Sequence, residues 1–354
     1  MRIAQIAPLY ESVPPQLYGG TERIVAYLTD ALVDLGHDVT LFASGDAVTK
    51  ATLVASRDQA IRLDPAPFKS DVAAHLLMLD EVRRCATQFD ILHFHVDLIQ
   101  FPMFRAFAPR TVTTLHGRLD VRGLPEAYAL WRQYPLVSIS HNQRTPIPEA
   151  NWAATIHHGV PPHLLRPTPV SKADYLAFLG RISPEKRPDR AVAIARATGI
   201  PLKIAAKVDG ADQAYFHDTI EPLLADPLVE FVGEINEEQK AEFLGQARAL
   251  LFPVDWPEPF GLVMIEAIAC ATPVIAWRCG SVPEIVVDGL TGFIVDDEDA
   301  AAAAVHRAAT LDRQCIRQEF DRRFSVEIMA ANYVKLYTQL VRNSERSDTA
   351  LAAA

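Results

Sequence analysis

The sequence predicts an α/β protein built from two domains, each with a parallel sheet. Residues 2–44 run from an apolar strand through a helix to a second strand, and residues 250–276 repeat that order. Strand–helix–strand units of this kind hold their strands in parallel. A proline-rich polar run separates the two halves, as an interdomain linker would. At 354 residues the chain is long enough for two separate cores.

Composition and charge narrow the functional classes. The chain is 49% hydrophobic and 22% charged, which is ordinary for a globular protein. Its net charge of −10 argues against nucleic acid as the main partner. No apolar run is long enough for a membrane span, although a peripheral membrane contact stays open. The four cysteines lack any paired or metal-binding spacing, which predicts free thiols and, by default, a cytoplasmic location.

The first domain opens with strand Arg2–Ala7, the Pro/Gly-rich loop Tyr10–Gly20 and a helix with Thr21 as its N-cap. The loop ends in Gly19 and Gly20 and lacks the GxGxxG fingerprint of a dinucleotide site. Glycines here would let the backbone lie against a ligand, or would simply form a flexible turn. The residues alone leave both interpretations open.

Histidines follow two of the next strands. The strand over residues 90–96 carries His93 and His95 on one face. With no third metal ligand near, packed or hydrogen-bonded histidines are favoured over a metal site. The strand Thr111–Leu115 ends in His116, and polar residues at the carboxyl ends of parallel strands face the ligand crevice. His116 is therefore a binding candidate, with an ordinary loop histidine as the alternative.

Further segments of this half carry weaker signals. A helix is predicted over residues 70–88, and Ser140 after the strand LVSIS could reach the crevice. His157 and His158 are consecutive, but a metal site is rejected because successive strand residues point in opposite directions. The proline-rich linker spans residues 161–174.

The second domain begins with a strand that ends in Arg181. Ser183 and Pro184 are a natural N-cap and first-turn residue, which predicts a helix with Lys186 in its first turn. Arg181 and Lys186 would then lie at the crevice edge, where a guanidinium and an ammonium can hold a diphosphate. The alternative is a pair of surface cations. Further strands are predicted over residues 202–206, 229–233 and 249–254.

The stretch LLFPVDWPEPFGLVMIEAIACATPVIA carries the strongest functional signal. Glu258 lies in the loop and Glu266 inside the following helix, a separation equivalent to ~12 Å along a helix axis. Backbone amides at the start of a helix favour an anion. These amides belong to Phe260, Gly261, Leu262 and Val263. Such a layout fits a nucleotide-diphosphate sugar, with Glu258 accepting hydrogen bonds from sugar hydroxyls and Glu266 from ribose hydroxyls.

The alternative is that both glutamates are solvated. Glu258, however, lies between two prolines, and Glu266 interrupts an otherwise apolar helix where a charge without a partner is costly. The binding interpretation is therefore favoured.

These residues together resemble the retaining glycosyltransferases of family 4. The stretch EPFGLVMIEA resembles their Glu-x7-Glu motif, GRISPEK their Gly-Arg-x-x-x-x-Lys signature, and PPQLYGGTER the loop after their first strand. The family has the GT-B fold, in which two Rossmann-like domains face each other across a central cleft. Ala271 departs from the pattern, because the family usually has glycine there.

The resemblance implies roles for both domains. Residues 1–164 would bind the acceptor, with a C-terminal helix at about 325–354 packing back onto them, and residues 172–324 would bind the donor. By resemblance His116 lies beside the donor sugar and Glu258 positions that sugar without acting as a nucleophile. The nucleotide base would lie near residues 208–210 and 234–235. The catalytic residues implied are Glu258, His116, Arg181 and Lys186.

The reaction implied is transfer of a sugar, with a UDP-sugar favoured, to a hydroxyl acceptor with retention at the anomeric carbon. Arg181, Lys186 and the amides around Gly261 would neutralise the leaving diphosphate, so that no metal or cofactor is expected. A sugar-nucleotide epimerase and a non-catalytic nucleotide-sugar-binding protein stay as alternatives. An NAD-linked oxidoreductase is disfavoured by the missing GxGxxG.

Overall fold

A computed structural model describes residues 1–16, 19–168 and 173–352, with side chains described up to residue 346. Two residues of the predicted loop Tyr10–Gly20, Leu17 and Tyr18, lie outside the described residues. So do residues 169–172 of the predicted linker, where the second domain was expected to begin.

The chain divides into two compact units. Unit 1 comprises Met1–Gly159 and the chain from Val326 onward, and unit 2 comprises Val160–Ser325. The sequence analysis ended the first domain at residue 164, whereas the division falls five residues earlier. The reason is local pairing, since Val160 forms a parallel bridge with Ser325 and its N–H donates to Phe324 O at 3.0 Å.

Unit 1 is built on a parallel sheet. In chain order its first elements are β1 (Arg2–Ile6), α1 (Gly20–Asp34), β2 (Asp38–Ser44), β3 (Thr52–Arg57), α2 (Asp71–Cys85), β4 (Ile91–Phe94), β5 (Thr111–Thr114), α3 (Leu124–Leu130), β6 (Leu136–Ser138) and β7 (Trp152–Thr155). The described strands lie in the order β3-β2-β1-β4-β5-β6-β7. Strand order therefore reverses between β1 and β4, and ligands of such sheets bind beyond the carboxyl ends of the strands at that point.

Unit 2 repeats this architecture. Its elements are β8 (Leu176–Arg181), α4 (Pro188–Thr198), β9 (Leu202–Lys207), α5 (Gln213–Tyr215), β10 (Val229–Gly233), α6 (Glu237–Gly245), β11 (Ala249–Phe252), α7 (Leu262–Ala269), β12 (Val274–Trp277), α8 (Val282–Ile285), β13 (Gly292–Val295), α9 (Glu298–Ala308) and α10 (Arg313–Arg323). The described strands lie in the order β10-β9-β8-β11-β12-β13, all parallel. The reversal lies between β8 and β11.

Burial explains why the central strands form where they do. Every residue of β4, β5, β11 and β12 is buried, as expected for parallel strands covered on both faces by helices. Their sequences are accordingly short apolar or β-branched runs, ILHF, TVTT, ALLF and VIAW. The two polar exceptions, the histidine of β4 and the threonines of β5, require buried hydrogen-bond partners.

Two predicted helix starts are wrong. Helix α1 begins at Gly20 with Gly19 as its N-cap and no side-chain cap, so Thr21 lies inside the first turn. Residues 183–186 form a tight turn in which Lys186 N donates to Ser183 O at 3.1 Å. Helix α4 starts only at Pro188, because Arg187 adopts a left-handed conformation with φ 52°. Lys186 therefore lies in a loop.

The last helix, α11 (Val326–Ala352), belongs to unit 1 although it follows unit 2 in the sequence. Tyr333 and Tyr337 of α11 are buried and hydrogen-bond to side chains of unit 1. The helix lies within the same unit as the first sheet. Across the described ranges, no helix combines the length and the apolar character needed to cross a membrane.

Candidate functional site

Lys186 and Glu258 meet at the carboxyl ends of adjacent strands in unit 2. The Lys186 turn follows β8 and the Glu258 loop follows β11, which pairs with β8 through Ala249 and Leu176. The Lys186 ammonium donates to Glu258 Oε2, and Trp256 Nε1 donates to the same oxygen at 2.9 Å. The two charged side chains are only 15% and 11% exposed. The structure thus joins two predicted site residues that are 72 positions apart.

Aromatic rings surround the Lys186 ammonium. Its Nζ lies 5.7 Å from the ring centre of Phe252 and 5.4 Å from that of Trp256. Ring faces attract a cation electrostatically, most strongly where water is excluded. Sequence analysis did not identify Trp256, although its position directly before Pro257, two residues from Glu258, was a visible signal.

The loop after β12 holds the Glu258 loop in place. Ser281 N donates to Glu258 O at 3.0 Å, and Ser281 Oγ donates to Phe260 O at 2.8 Å. Gly280 has a φ of +57°, and a Cβ there would lie 2.3 Å from Glu258 N. Only glycine permits this approach. Sequence analysis did not identify Gly280 or Ser281.

Helix α7 begins directly after this loop. Gly261 is its N-cap in the left-handed region, with a φ of +77°, and the first helical residues are Leu262 and Val263. Amides in the first turn of a helix have no intrahelical acceptor, so they can receive an anion. Phe260 differs, because its side chain is 2% exposed and packs edge-on against Phe324 in the core of unit 2. Its side chain is structural, and only its backbone can serve a ligand.

Glu266 lies inside α7 with a buried cation beside it. Lys240 of α6 donates to Glu266 Oε1 at 3.0 Å and to Glu237 Oε2 at 3.1 Å. The Lys240 and Glu266 side chains are 7% and 4% exposed. The sequence predicted that a charge in this apolar helix needs a partner, and the structure supplies one from within the protein. Lys240 was missed because it lies 26 residues away in a helix with no unusual pattern.

Arg181, at the end of β8, faces different carboxylates from Lys186. Its Nη1 lies 3.3 Å from Asp209 Oδ2 and 3.7 Å from Asp212 Oδ2, while Lys207 Nζ lies 3.0 Å from Asp209 Oδ1. Burial alone would raise the pKa of Asp209, but the hydrogen bonds and charges of Lys207 and Arg181 hold it below its ordinary value. Asp209 belongs to the segment that was expected to border the nucleotide base, and its carboxylate pairs with Arg181.

In unit 1, His116 lies in a cluster of imidazoles beyond β4 and β5. His95 Nδ1 lies 2.9 Å from His116 Nε2, and the His158 ring stacks on His116 with centroids 5.2 Å apart. His93 and His95 have centroids 4.1 Å apart. The prediction that His93 and His95 are packed and hydrogen-bonded is confirmed. Within the described ranges, no group of three His, Cys, Asp or Glu side chains is arranged to hold a metal ion.

Burial keeps these imidazoles neutral. It lowers the pKa of His116 to about 3 and holds the pKa values of His93, His95 and His158 well below their ordinary value. Mutual repulsion of charges within the cluster adds to the effect on His93, His95 and His158. The four histidines of this cluster therefore act as neutral hydrogen-bonding groups at physiological pH.

A cavity of about 540 Å³ adjoins the cluster. Its wall carries charged groups as well as imidazoles, and burial raises the pKa values of both Glu22 and Asp97. Arg62 also lines the cavity and pairs with Glu11 at 2.9 Å. The lining residues are Pro8, Tyr10, Gly19, Gly20, Thr21, Glu22, Arg62, Val72, His75, His95, Val96, Asp97, Leu98, Ile99, His116 and Gly117.

Two other predicted residues of unit 1 have structural roles. A Cβ at Gly19 would lie 2.9 Å from Pro15 Cβ and 3.2 Å from Glu11 Cγ, so packing of its own loop already requires glycine there. Gly20 is the first residue of α1, and both glycines line the cavity. Ser140 is fully buried and accepts a hydrogen bond from Gln143 N at 3.0 Å. The expectation that Ser140 reaches a crevice is wrong.

Comparison with known proteins finds a glycosyltransferase family model over most of each unit. The model described as Glycosyltransferase Family 4 matches residues 18–162, and the model described as Glycosyl transferases group 1 matches residues 166–324. The chain is 26% identical to glycogen synthase of Mycobacterium tuberculosis over 91% of each protein. It is 37% identical to D-inositol 3-phosphate glycosyltransferase of Mycolicibacterium smegmatis over 39% of this chain, and spans about a third of that relative (33%).

Solved structures agree on the fold. AviGT4, a glycosyltransferase involved in avilamycin A biosynthesis, superposes with a TM-score of 0.72 at 26% identity, covering 97% of this chain and 98% of that one. The predicted fold class, two Rossmann-like domains of the GT-B type, is confirmed by these neighbours and by the two parallel sheets.

Proposed function

The chain belongs to the GT-B glycosyltransferases, and we propose that it moves a sugar from a nucleotide-diphosphate sugar to a hydroxyl acceptor with retention at the anomeric carbon. We favour a UDP-sugar as donor and a cytoplasmic location. The observation that carries the proposal is the Lys186–Glu258 pair beside the start of α7 in unit 2. It combines a cation for the diphosphate, a carboxylate for sugar hydroxyls and helix amides for an anion.

In this proposal Lys186 stabilises the leaving diphosphate. Glu258 holds the Lys186 ammonium beside the rings of Phe252 and Trp256. A bound donor would contact Lys186 through its diphosphate and Glu258 through its sugar. Negative charge grows on the diphosphate as the bond to the sugar breaks, so a fixed cation contributes most in the transition state. Arg181 would add a second cation on the same ligand. These groups supply the charge that a metal ion supplies in other transferases, and we propose a metal-independent reaction.

Glu266 is proposed to accept hydrogen bonds from the ribose. Lys240 supports this role, because a hydrogen bond from its ammonium fixes the orientation of the buried Glu266 carboxylate. Glu258 would hold the transferred sugar at the other end of the donor, beyond Gly261 and the amides of Leu262 and Val263. The residues near 208–210 and 234–235, at the ends of β9 and β10, are proposed to border the base.

The acceptor is proposed to enter the cavity of unit 1. At about 540 Å³ the cavity has room for a sugar-sized molecule, and Glu22, Asp97 and the histidines offer hydroxyl partners. Gly19, Gly20 and His116 lie in its wall, where the family resemblance expects contacts with the donor sugar.

A panel of UDP-, GDP- and ADP-sugars tests the proposal. We expect transfer or slow hydrolysis of one donor, a released sugar that NMR shows with unchanged anomeric configuration, and the same rate in EDTA. Interconversion of donor sugars would establish an epimerase, and binding without turnover would establish a silent binding protein. An inverted product would contradict the retaining mechanism, and loss of activity in EDTA that added metal restores would contradict metal independence.

A further inference from the structure

A continuous run of hydrogen bonds connects His116 to the C-terminal helix within unit 1. It passes from His116 Nε2 to His95 Nδ1 at 2.9 Å, and from His95 Nε2 to Gln5 Oε1 at 2.9 Å. Gln5 Nε2 then donates to the Tyr337 hydroxyl at 3.2 Å. Gln5, His95 and Tyr337 are all at most 3% exposed, so water does not compete for these bonds. The protons on the two histidines are therefore set by the protein.

The Gln5 amide fixes the direction of the run. Because its nitrogen donates to Tyr337, its oxygen faces His95 and can only accept, so His95 Nε2 must carry a proton. A neutral imidazole carries one proton, which leaves His95 Nδ1 as an acceptor. His116 Nε2 must then donate to it, and His116 Nδ1 is left with a lone pair. Burial keeps both rings neutral, as their lowered pKa values indicate.

The far end of the run is anchored by α11. The Tyr337 hydroxyl lies 2.6 Å from His93 Nδ1, and His93 Nε2 lies 2.8 Å from Thr114 Oγ1. The Tyr337 hydroxyl accepts from Gln5 and keeps its own proton, which it can donate to His93 Nδ1 to continue the same direction. Turning the Gln5 amide over would require every proton in the run to reverse together. That cooperativity makes the tautomer of His116 a property of the whole network.

His116 Nδ1 is the open end of the run. The atom is buried and has no hydrogen-bond partner among residues 1–16, 19–168 and 173–352, and its ring lines the cavity of unit 1. A buried acceptor without a partner is costly, and a ligand that brings a donor relieves the cost. Hydroxyl groups are the donors that a sugar offers.

We propose that Gln5 is a positioning residue that acts through His95 to hold His116 as the Nε2–H tautomer. In that tautomer His116 Nδ1 accepts a hydrogen bond from a hydroxyl group of the bound sugar. The tautomer follows from this chain's own contacts. Only the identification of the hydroxyl with a sugar rests on the proposed function.

Two-bond ¹⁵N–¹H NMR of ¹⁵N-histidine-labelled protein tests the tautomer directly at neutral pH. His116→Asn assigns the His116 signals. We expect wild-type His116 to be protonated at Nε2 alone, and a donor sugar from the panel to move the Nδ1 resonance in the direction of an accepted hydrogen bond. Protonation at Nδ1, or averaging between the two tautomers, would overturn the proposal.

Gln5→Leu should release the tautomer, giving averaged His116 signals. Tyr337→Phe, which keeps the ring and removes only the hydroxyl, gives a second test if Gln5→Leu does not fold. Gln100→Leu is the matched control, because Gln100 is equally buried in unit 1 but bonds to Asp97 O and Thr113 Oγ1. A single Nε2–H tautomer in either folded Gln5 or Tyr337 variant would show that the network does not set it.

Kinetics separate this inference from the proposed function. Gln5→Leu should lower kcat/KM for the donor sugar roughly tenfold while leaving affinity for free nucleotide diphosphate unchanged. If the wild-type tautomer is as expected and no sugar nucleotide is turned over, the proposed function fails and the tautomer assignment stands. If transfer occurs but His116 carries its proton on Nδ1, the proposed function stands and the tautomer assignment fails.

Discussion

The two units both place polar side chains at the carboxyl ends of parallel strands but treat charge in opposite ways. In unit 1 the groups beyond β4 and β5 are imidazoles whose burial keeps them neutral. In unit 2 the groups beyond β8 and β11 form ion pairs, Lys186 with Glu258 and Arg181 with Asp209. The same type of sheet thus carries neutral hydrogen-bonding groups in unit 1 and ion pairs in unit 2.

The difference suits two kinds of ligand. A diphosphate needs cations, and cations near each other repel unless carboxylates hold them until the ligand arrives. A sugar is neutral, so its recognition depends on which atoms donate and which accept. Variants that remove a charge should therefore be severe in unit 2, and changes in pH should act mainly through unit 1.

The largest effect is expected from Lys240→Met, which leaves the Glu266 carboxylate buried without its lysine. Breaking a buried pair from one side costs about 3–5 kcal/mol of the free energy of unfolding, measured by denaturant titration. Glu237→Gln is the control, since Glu237 is 30% exposed and its loss should cost less than about 1 kcal/mol. Equal small effects in both variants would show that Glu266 does not depend on Lys240.

Lys186→Ala should lower kcat by about 10²–10³, the usual effect of removing one group that stabilises transition-state charge. Substrate affinity should fall much less. Lys203→Ala is the matched control, because Lys203 pairs with exposed Glu230 away from the β8–β11 edge and should leave turnover unchanged. A defect confined to KM would mean that Lys186 serves ground-state binding only.

Glu258→Gln keeps the shape of the side chain and loses the charge that holds Lys186. We expect transfer to fall by about 10–100-fold, from the loss of charge-assisted hydrogen bonds worth about 1.5–3 kcal/mol, with poorer discrimination between donor sugars. Free nucleotide diphosphate should bind at least as well as to the wild type. Glu298→Gln, which alters a half-exposed ion pair with Arg190, provides the control. Weakened binding of the free nucleotide would place Glu258 at the diphosphate end.

The pH dependence of the free energy of unfolding should reflect the buried cluster of His93, His95, His116 and His158. Their folded pKa values lie below the ordinary 6.5, so the unfolded chain binds more protons between about pH 6.5 and 3. The contribution of the neutral histidines to the free energy of unfolding should be fully present above pH 6.5. Below that pH, the free energy of unfolding should fall by about 1.4 kcal/mol per pH unit for each such histidine. His116→Asn should flatten the slope relative to the wild type. Identical slopes would contradict the neutral cluster.

The smallest effect concerns a turn that carries no site group. Ala271 is buried with a left-handed φ of +61° at the end of α7, a position where the family resemblance leads us to expect glycine. Ala271→Gly should relieve that conformation and raise the free energy of unfolding by no more than about 1 kcal/mol. Ala269→Gly, two residues earlier in ordinary helix, should lower it by about 1 kcal/mol. Destabilisation by both would mean that the Ala271 methyl contributes more through packing.

Sequence patterns captured what is local. The strand–helix–strand unit around α7 and the histidine at the end of β5 follow from apolar periodicity and strand ends. The predicted helix start at Ser183 is wrong because the same residue types also suit a tight turn. The left-handed conformation of Arg187 places the start of α4 at Pro188. Sequence could not show the pairs that define the sites. Lys186–Glu258, Lys240–Glu266 and His95–His116 join residues 72, 26 and 21 positions apart, through strand order that no local pattern encodes.

The position of α11 has a consequence for biosynthesis. The tyrosines that bond to His93 and Thr114 leave the ribosome only after all of Val160–Ser325 has been made. At a synthesis rate of about 5–20 residues per second, these tyrosines are made roughly 10–30 s after the last strand of the first sheet. Protease treatment of stalled nascent chains, with and without α11 released from the exit tunnel, should show unit 1 becoming resistant only in the longer chain. Equal resistance in both would show that the sheet matures without its last helix.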